Sequence, residues 1–225
     1  MMLRMLALDC ATTACSVALR VNGEIRVHHD ETPRQHHKQL LPAIRALLAE
    51  AGLAPSSLDA VIVGVGPGSF VGVRMAVSAA QGLSFGADIP LLGVSSFQIW
   101  AQTAWQSEKA ENIMIATDAR MGQVNVGQYQ LQGGVMAQCV EDKVVGAGDI
   151  VIPEDAVLLG DAWNGLLAKP SDACCLEKLL PQADAAFALI SEADIQSAPS
   201  PASILPLYLQ GTSPWRKQHE IEEKP

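Results

Sequence analysis

Two stretches of the chain follow one pattern: an apolar strand ending in an aspartate, a short turn, then a second apolar strand. In the first, Leu6-Ala7-Leu8-Asp9 precedes Ser16-Val17-Ala18-Leu19; in the second, Ile115-Ala116-Thr117-Asp118 precedes Val124-Asn125-Val126-Gly127. Such internal similarity marks one supersecondary unit used twice, and it predicts two related halves facing across a cleft. Hydrophobic residues make up 49% of the 225 residues but aromatic ones only 4%, with Ala, Val and Leu predominant. Cores of that kind come from closely packed helices and parallel strands, so the class is α/β. The length suits one or two compact units of roughly 100 residues each.

Around the repeats the elements follow from periodicity and punctuation. Residues 3–9 read as a strand, 15–21 as a second, and 24–30 as a third, with Asn22-Gly23 reversing the chain through a turn that needs positive φ at both central positions. Leu40, Leu41, Ile44, Leu47, Leu48 and Ala51 recur at helical spacing over 35–51, and Gly52 stands where a C-terminal cap belongs. Pro42 places the start of the regular helix, or a kink, nearby. After a buried strand at 59–65, Gly66-Pro67-Gly68-Ser69 opens a helix from Phe70 to about Gly86. That helix carries Gly72, Ala76 and Ala80 at every fourth position beside Val71, Val73, Met75 and Val77. A helix apolar nearly all round must be covered on more than one side, and its small residues admit another backbone closely. A strand at 91–94, a helix capped by Ser95-Ser96, strands at 113–117, 123–131 and up to Val140, a strand into a turn at 157–161, a helix at 182–193 and a Pro/Ser linker at 197–203 complete the series. A polar tail follows from Gln218.

A net charge of -9 and a pI near 4.9 oppose unaided grip on a phosphate backbone, where affinity comes from Lys and Arg releasing counterions. No apolar run approaches the ~20 residues that span a bilayer. The N-terminus carries no leader pattern, so a soluble cytoplasmic location is expected. The five cysteines, Cys10, Cys15, Cys139, Cys174 and Cys175, lack zinc-site spacing and are expected to be reduced packing residues, the adjacent Cys174 and Cys175 included.

Several chemistries can be weighed on residue types alone. A strand-end Asp9 with hydroxyls at Thr12, Thr13 and Ser16 could hold a magnesium-bound water and wrap a phosphate. The opposite turn, however, offers Asp118 followed by Ala119 and bulky Arg120, and Gly160-Asp161 supplies one glycine where adenine sites of this type need two. Gly66-Pro67-Gly68-Ser69 lacks the Gly-Lys-Ser/Thr ending of a phosphate loop. His28, His29, His36, His37 and His219 leave a long histidine-free interior and no His-Glu-x-x-His, which disfavours a metalloprotease; His36 and His37 read as exposed helix-start residues. Ser69 is not in a nucleophile elbow. No catalytic set and no cofactor follow, and the alternative is an autonomous ATP-dependent kinase or ATPase using Asp9 and Asp118.

The ordered motifs Leu-Ala-Leu-Asp-Cys-Ala-Thr at 6–12, Pro33-Arg34-Gln35-His36, Gly66-Pro67-Gly68-Ser69-Phe70-Val71-Gly72-Val73-Arg74, Gln81-Gly82-Leu83, Gly93-Val94-Ser95-Ser96 and Asp118-Ala119-Arg120-Met121-Gly122 closely resemble the bacterial TsaB family, formerly YeaZ. The likeness runs from residue 3 to about 130 and resumes at Pro206-Leu207-Tyr208-Leu209. It implies an actin/sugar-kinase-like (ASKHA, RNase H-like) fold, with a first half at 1–108 packed by the C-terminal tail and a smaller, degenerate second half at 109–225. It implies a noncatalytic scaffold for tRNA threonylcarbamoyladenosine synthesis, holding a catalytic TsaD subunit, supporting a TsaE ATPase, meeting tRNA only through the complex and pairing with itself when alone. In metal-bearing relatives a His-x-x-x-His falls in the region that here reads Gln98 to Gln102. The family pairs through its first two helices, which makes His36, Leu40, Leu41, Ile44, Phe70, Gly72, Val73, Met75, Ala76 and Ala80 the expected interface and Asp9, Thr12, Thr13 and Asp118 vestigial phosphate loops. Arg at position 76 is then expected to break pairing but not the fold. Cys10, where the family commonly has Thr or Ser, and Gln210, where Arg is usual, depart from the pattern.

Overall fold

A computed structural model describes residues 3–31 and 35–209. Strands β1 (Met5–Asp9), β2 (Ala14–Val21) and β3 (Glu24–Glu31) form an antiparallel meander, turned at Asn22 (φ 53°) and Gly23 (φ 86°) as a type I′ turn demands. Strand β4 (Ala60–Gly64) runs parallel to β1 on its other side, and β5 (Leu91–Val94) parallel to β4, giving the order β3-β2-β1-β4-β5. The second sheet is built from β6 (Asn112–Arg120), β7 (Gln123–Gln132), β8 (Val135–Gly146) and β9 (Val157–Leu159) in the order β8-β7-β6-β9. Its pairings, antiparallel for β6–β7 and β7–β8 and parallel for β6–β9, repeat those of β1–β2, β2–β3 and β1–β4. The duplicated sequence unit is therefore a duplicated sheet.

Each layer is held by an apolar face. Helices α1 (His36–Glu50) and α2 (Phe70–Ala87) cover one face of the first sheet, where Leu40, Ile44, Leu47, Val73, Ala76 and Ala80 meet Leu6, Leu8, Val17 and Val63. On the opposite face lie Ile99 of α3 (Ser96–Glu108) and Ala183 and Phe187 of a 3₁₀ segment, Ala183–Ala188. The other side of α3, Phe97, Trp100, Ala101 and Ala104, packs on Ile113, Ile115, Tyr129 and Leu159 of the second sheet. Helix α3 thus lies between the two sheets and belongs to both cores. The far face of the second sheet is closed by Ala162 and Trp163 over Met114, Val124 and Leu158.

Several expectations shift. The helix expected over 182–193 is instead the 3₁₀ segment followed by a separate short helix, α4 (Glu192–Gln196), capped by a Ser191–Asp194 box. The alanines pack flat against the sheet, where the Ala183 N–H donates to Ser16 Oγ at 2.8 Å, and tertiary contact overrides helical propensity. Strand β8 continues past Val140 because register irregularities opposite Val126–Tyr129 absorb the twist. Helix α1 runs through Pro42 with Gln35 at its N-cap position. Cys10 and Cys15 are buried with their sulfurs 3.8 Å apart, but Cys139 and Cys174 are exposed and Cys175 only half-buried, so the expectation that all five pack inside is corrected. The segment around Pro201–Ser203 is docked, its Pro201 and Ile204 carbonyls accepting from the Gln81 amide at 3.1 and 3.0 Å. Pro33, Arg34, Gln210, the polar tail from Gln218 and His219 lie outside the described residues.

Close approach explains one glycine in particular. A Cβ at Gly72 would run into the carbonyl oxygen of Cys10, whereas at Gly82 on the same helix it would meet nothing within 4 Å. Gly72→Ala is expected to cost about 2–3 kcal/mol by overpacking and to lower Tm by roughly 5–10 °C for a chain of this size. Gly82→Ala should leave Tm unchanged or raise it, because Ala is the better helix former. Thermal unfolding of the two variants side by side checks the placement of α2; equal Tm values would contradict it.

Candidate functional site

The first strand-end aspartate is spent inside the protein. Asp9 terminates β1 next to parallel β4, and its side chain is 1% exposed. Its Oδ2 accepts from Ser96 Oγ at 2.6 Å and its Oδ1 from the Ala11 N–H at 2.9 Å. Ser96 Oγ in turn accepts from the Gly66 N–H at 3.0 Å. Glycine at 64 makes room for the carboxylate, since a Cβ there would overlap it. Burial pushes the Asp9 pKa up to about 6 against the opposing pull of the Ser96 and Ala11 hydrogen bonds. The hydroxyls expected to wrap a phosphate are also engaged: Thr12 Oγ1 accepts from the Ala14 N–H at 3.2 Å, and exposed Thr13 approaches Glu31 at 3.5 Å.

The second aspartate is occupied differently. Asp118 Oδ1 accepts from the Arg120 N–H at 2.7 Å, and its Oδ2 pairs with the Arg120 guanidinium at 3.0 Å. The Asp118 N–H is capped by Asp161 Oδ1 at 3.0 Å. Arg120 and Met121 take positive φ (70° and 55°), and Gly122 follows at 71°. The glycine of Gly160-Asp161 is required by contact, since a Cβ would run into the Ala116 carbonyl. In the Gly66–Ser69 loop the Ser69 N–H is taken by the Ala11 carbonyl at 2.7 Å, and Ser69 caps α2 by accepting from the Gly72 N–H at 3.2 Å. No donor of the loop that these bonds consume can receive an anion.

Among the described residues there is no group of three or more His, Cys, Asp and Glu that could hold a metal, and no helix is long and apolar enough to cross a membrane. His36, expected at the surface, is buried, its Nε2 3.1 Å from the Ala14 carbonyl, while His37 is exposed. Position 36 is the first helical residue, and its ring turns in to bridge α1 to the start of β2.

The expected pairing residues divide by face. His36, Leu40, Ile44, Gly72, Val73, Ala76 and Ala80 point into the protein's own core, because the small residues of α2 let that helix lie close on its own sheet. Only Leu41 and Phe70 are exposed, and Met75 is half-buried. The outward side of α2 carries Val71 (65% exposed), Ser78, Gly82 and Phe85 (60%), and on α1 Leu41 is exposed as well (59%). Phe70 stacks with Arg74, whose guanidinium lies 3.3 Å from the ring centroid, and Arg74 Nε donates to Tyr208 Oη at 2.6 Å.

One polar cluster was not legible. Ser95 stands at the N-cap of α3, yet its side chain makes no cap bond. Its hydroxyl instead donates to Asp142 Oδ2 at 3.1 Å, and Tyr129 Oη lies 2.9 Å from both Asp142 oxygens. Burial raises the pKa of Asp142 and, with the neighbouring carboxylate, that of Tyr129. Tyr129 and Asp142 lie on the consecutive strands β7 and β8, but Ser95 comes from the start of α3, and no local motif links the three.

A sheet used twice in one strand order, with an aspartate at the end of β1 and another near the end of β6, defines a two-halved protein of the actin/sugar-kinase-like class. Residues 26–161 match the family profile described as TsaD: tRNA N6-adenosine threonylcarbamoyltransferase. Over 96% of its length the chain is 33% identical to the tRNA threonylcarbamoyladenosine biosynthesis protein TsaB of Escherichia coli, covering 98% of that protein, and over 56% it is 46% identical to TsaB of Haemophilus influenzae, covering 53%. The solved structure of YeaZ from Pseudomonas aeruginosa superposes with a TM-score of 0.83 at 38% identity, over 92% of this chain and 100% of that one. The chain belongs to the TsaB (YeaZ) family of tRNA threonylcarbamoyladenosine biosynthesis proteins.

The state of Asp9 makes a titration testable. Its pKa is raised from 3.8 in the unfolded chain to about 6 in the fold, so stability is fully present below about pH 4, falls as pH rises towards 6 and is level above that. The loss amounts to about 3 kcal/mol. Asp9→Asn removes the ionisation, so urea unfolding at pH 4 and pH 7 should move the stability difference between variant and parent in the variant's favour by roughly 2–3 kcal/mol. A difference that stays constant with pH would contradict the buried, desolvated carboxylate.

Proposed function

We propose that the chain is the noncatalytic subunit of the machinery that makes threonylcarbamoyladenosine beside the tRNA anticodon. It holds a TsaD-type catalytic subunit as a heterodimer and supports a TsaE-type ATPase, pairing with itself when alone and reaching tRNA only through the assembly. One observation carries the reading: Asp9 and Asp118, the carboxylates that would place a metal and phosphates, are both bonded to their own chain, by Ser96 and Ala11 and by Arg120. Phosphoryl chemistry depends on positioned charge at the reacting group, and carboxylates so engaged leave little for it. A role in binding is supported by the apolar outward side of α2 and α1, where Val71, Phe85 and Leu41 stand exposed and Gly82 has open space beside it. Exposed apolar residues grouped on one face mark interaction sites, and a small residue at the centre lets a partner helix approach closely.

The burial of Ala76 changes which substitution is informative. Ala76→Arg would drive a charge into the core and is expected to unfold the protein, a cost of several kcal/mol for an unpaired buried charge. Val71→Asp and Phe85→Asp, both on the open face, should leave Tm within about 2 °C, as surface changes do. They should weaken binding to the cognate TsaD-type subunit at least tenfold, about 1.4 kcal/mol. Co-elution on a sizing column, followed by titration calorimetry, measures this. If two folded chains fail to co-elute the scaffold reading is wrong, and if they co-elute with undiminished affinity in both variants the contact lies elsewhere.

A further inference from the structure

Helix α3 is in sequence the last element of the first half, but its Gln98 and Gln102 side chains are directed at the second. Strand β8 is the edge strand of the second sheet, and at Met136, fully buried, both main-chain groups are taken by α3. The Met136 N–H donates to Gln102 Oε1 at 2.8 Å, and Gln98 Nε2 donates to the Met136 carbonyl at 2.9 Å. Residues four apart on a helix share a face, so the two carboxamides present one acceptor and one donor side by side, the complement that a neighbouring strand would offer. An open edge normally leaves such groups to water or to another chain. Further bonds repeat the direction: Trp100 Nε1 donates to the Leu179 carbonyl at 2.8 Å, and Ser95 donates to Asp142. On its other side α3 is pinned to the first half through Ser96 and Asp9 and by the burial of Ile99.

We infer that α3 locks the two halves into a single cooperative body, with Gln98 and Gln102 acting as a surrogate strand on the free edge of β8. Proteins of two halves ordinarily rock about the segments that join them; here the joining helix is bonded into both sheets, and the halves do not open as separate units. The inference stands apart from the partner reading, because it concerns the chain alone and is tested without a TsaD-type subunit.

Native-state hydrogen exchange and calorimetry of the full chain test it. In the unaltered protein the amides of α3, β1 and β8 should exchange through one common opening, and heat unfolding should be a single transition whose van't Hoff and calorimetric enthalpies agree. In Gln102→Ala the Met136 amide loses its acceptor and should exchange at least tenfold faster, while the Tyr129 amide, in the interior strand β7, changes little. Gln98→Ala leaves that N–H bond in place and should move the Met136 amide far less. The double variant should split the heat transition in two. Separate openings for α3 and β8 in the unaltered chain would overturn the lock, and so would a Met136 amide indifferent to Gln102→Ala. Should the double variant fail to fold, the exchange pattern of the unaltered chain and the contrast between the single variants still decide the matter.

Discussion

Asp9 ends the central strand of the first sheet with its carboxylate out of water, and the way that group is satisfied fixes much of what surrounds it. Its hydrogen bond from Ser96 draws the first turn of α3 against the end of β1, and the bond from the Ala11 N–H shapes the turn into β2. Because Ser96 also accepts from Gly66, the loop leading into α2 is referenced to the same point. Burying a charge in such a place is costly unless it is hydrogen-bonded or neutralised, and the rise of the Asp9 pKa to about 6 records the residual strain of that arrangement. Glycine at 64 follows from it, for a side chain there would occupy the space of the carboxylate.

From that point α3 carries the order of the first half into the second. The helix gives its Ser95 hydroxyl to Asp142 and not to its own first turn, forgoing a cap commonly worth about 1 kcal/mol. What it gains is a buried network reaching β7 and β8. A fully satisfied network in a low-dielectric interior is rigid, and the Gln98–Met136–Gln102 clamp adds to it at the edge strand of the second sheet. Among the described residues the far face of the second sheet is closed by the short 3₁₀ turn of Ala162 and Trp163 and the loops around it, so its attachment to α3 contributes much of what makes it a stable layer.

The sequence reading succeeded where one residue type answers to one local demand. The Asn22-Gly23 turn, the strand ending at Asp9 and the helix opening at Phe70 each follow from backbone chemistry within a few residues, and the repeated strand-Asp-turn unit carried the duplicated sheet with it. It fell short where the answer depends on which face of a helix looks inward. Gly72, Ala76 and Ala80 do mark a path for close approach, but what approaches is the protein's own chain, the Cys10 backbone at Gly72 and the first sheet's core at Ala76 and Ala80. Composition cannot distinguish a helix packed closely on its own sheet from one packed closely on a partner. Nor could it foresee the 3₁₀ path of Ala183–Ala188, set by contact with β1 and β2, or the meeting of Ser95, Tyr129 and Asp142.

The two copies of the strand-Asp-turn unit also reach the same end by different chemistry. In the first, the aspartate is withdrawn from water and held by a hydroxyl and a main-chain N–H; in the second, it remains partly exposed and is neutralised by an arginine two residues on. Sites that perform chemistry keep groups unsatisfied or strained in readiness for a ligand, and the rest of the fold sustains that cost. Here the groups that would be held ready are bonded within the chain, the joining helix is fastened to both halves, and the outer side of α2 keeps Val71 and Phe85 exposed. A protein whose contribution is to present a fixed face to another chain gains from each of these changes, since rigidity in the free state lowers the entropy lost on pairing. On the scaffold role proposed above, internal satisfaction of Asp9 and Asp118 and exposure of Val71 and Phe85 answer to one requirement, that the fold bind as a preformed body.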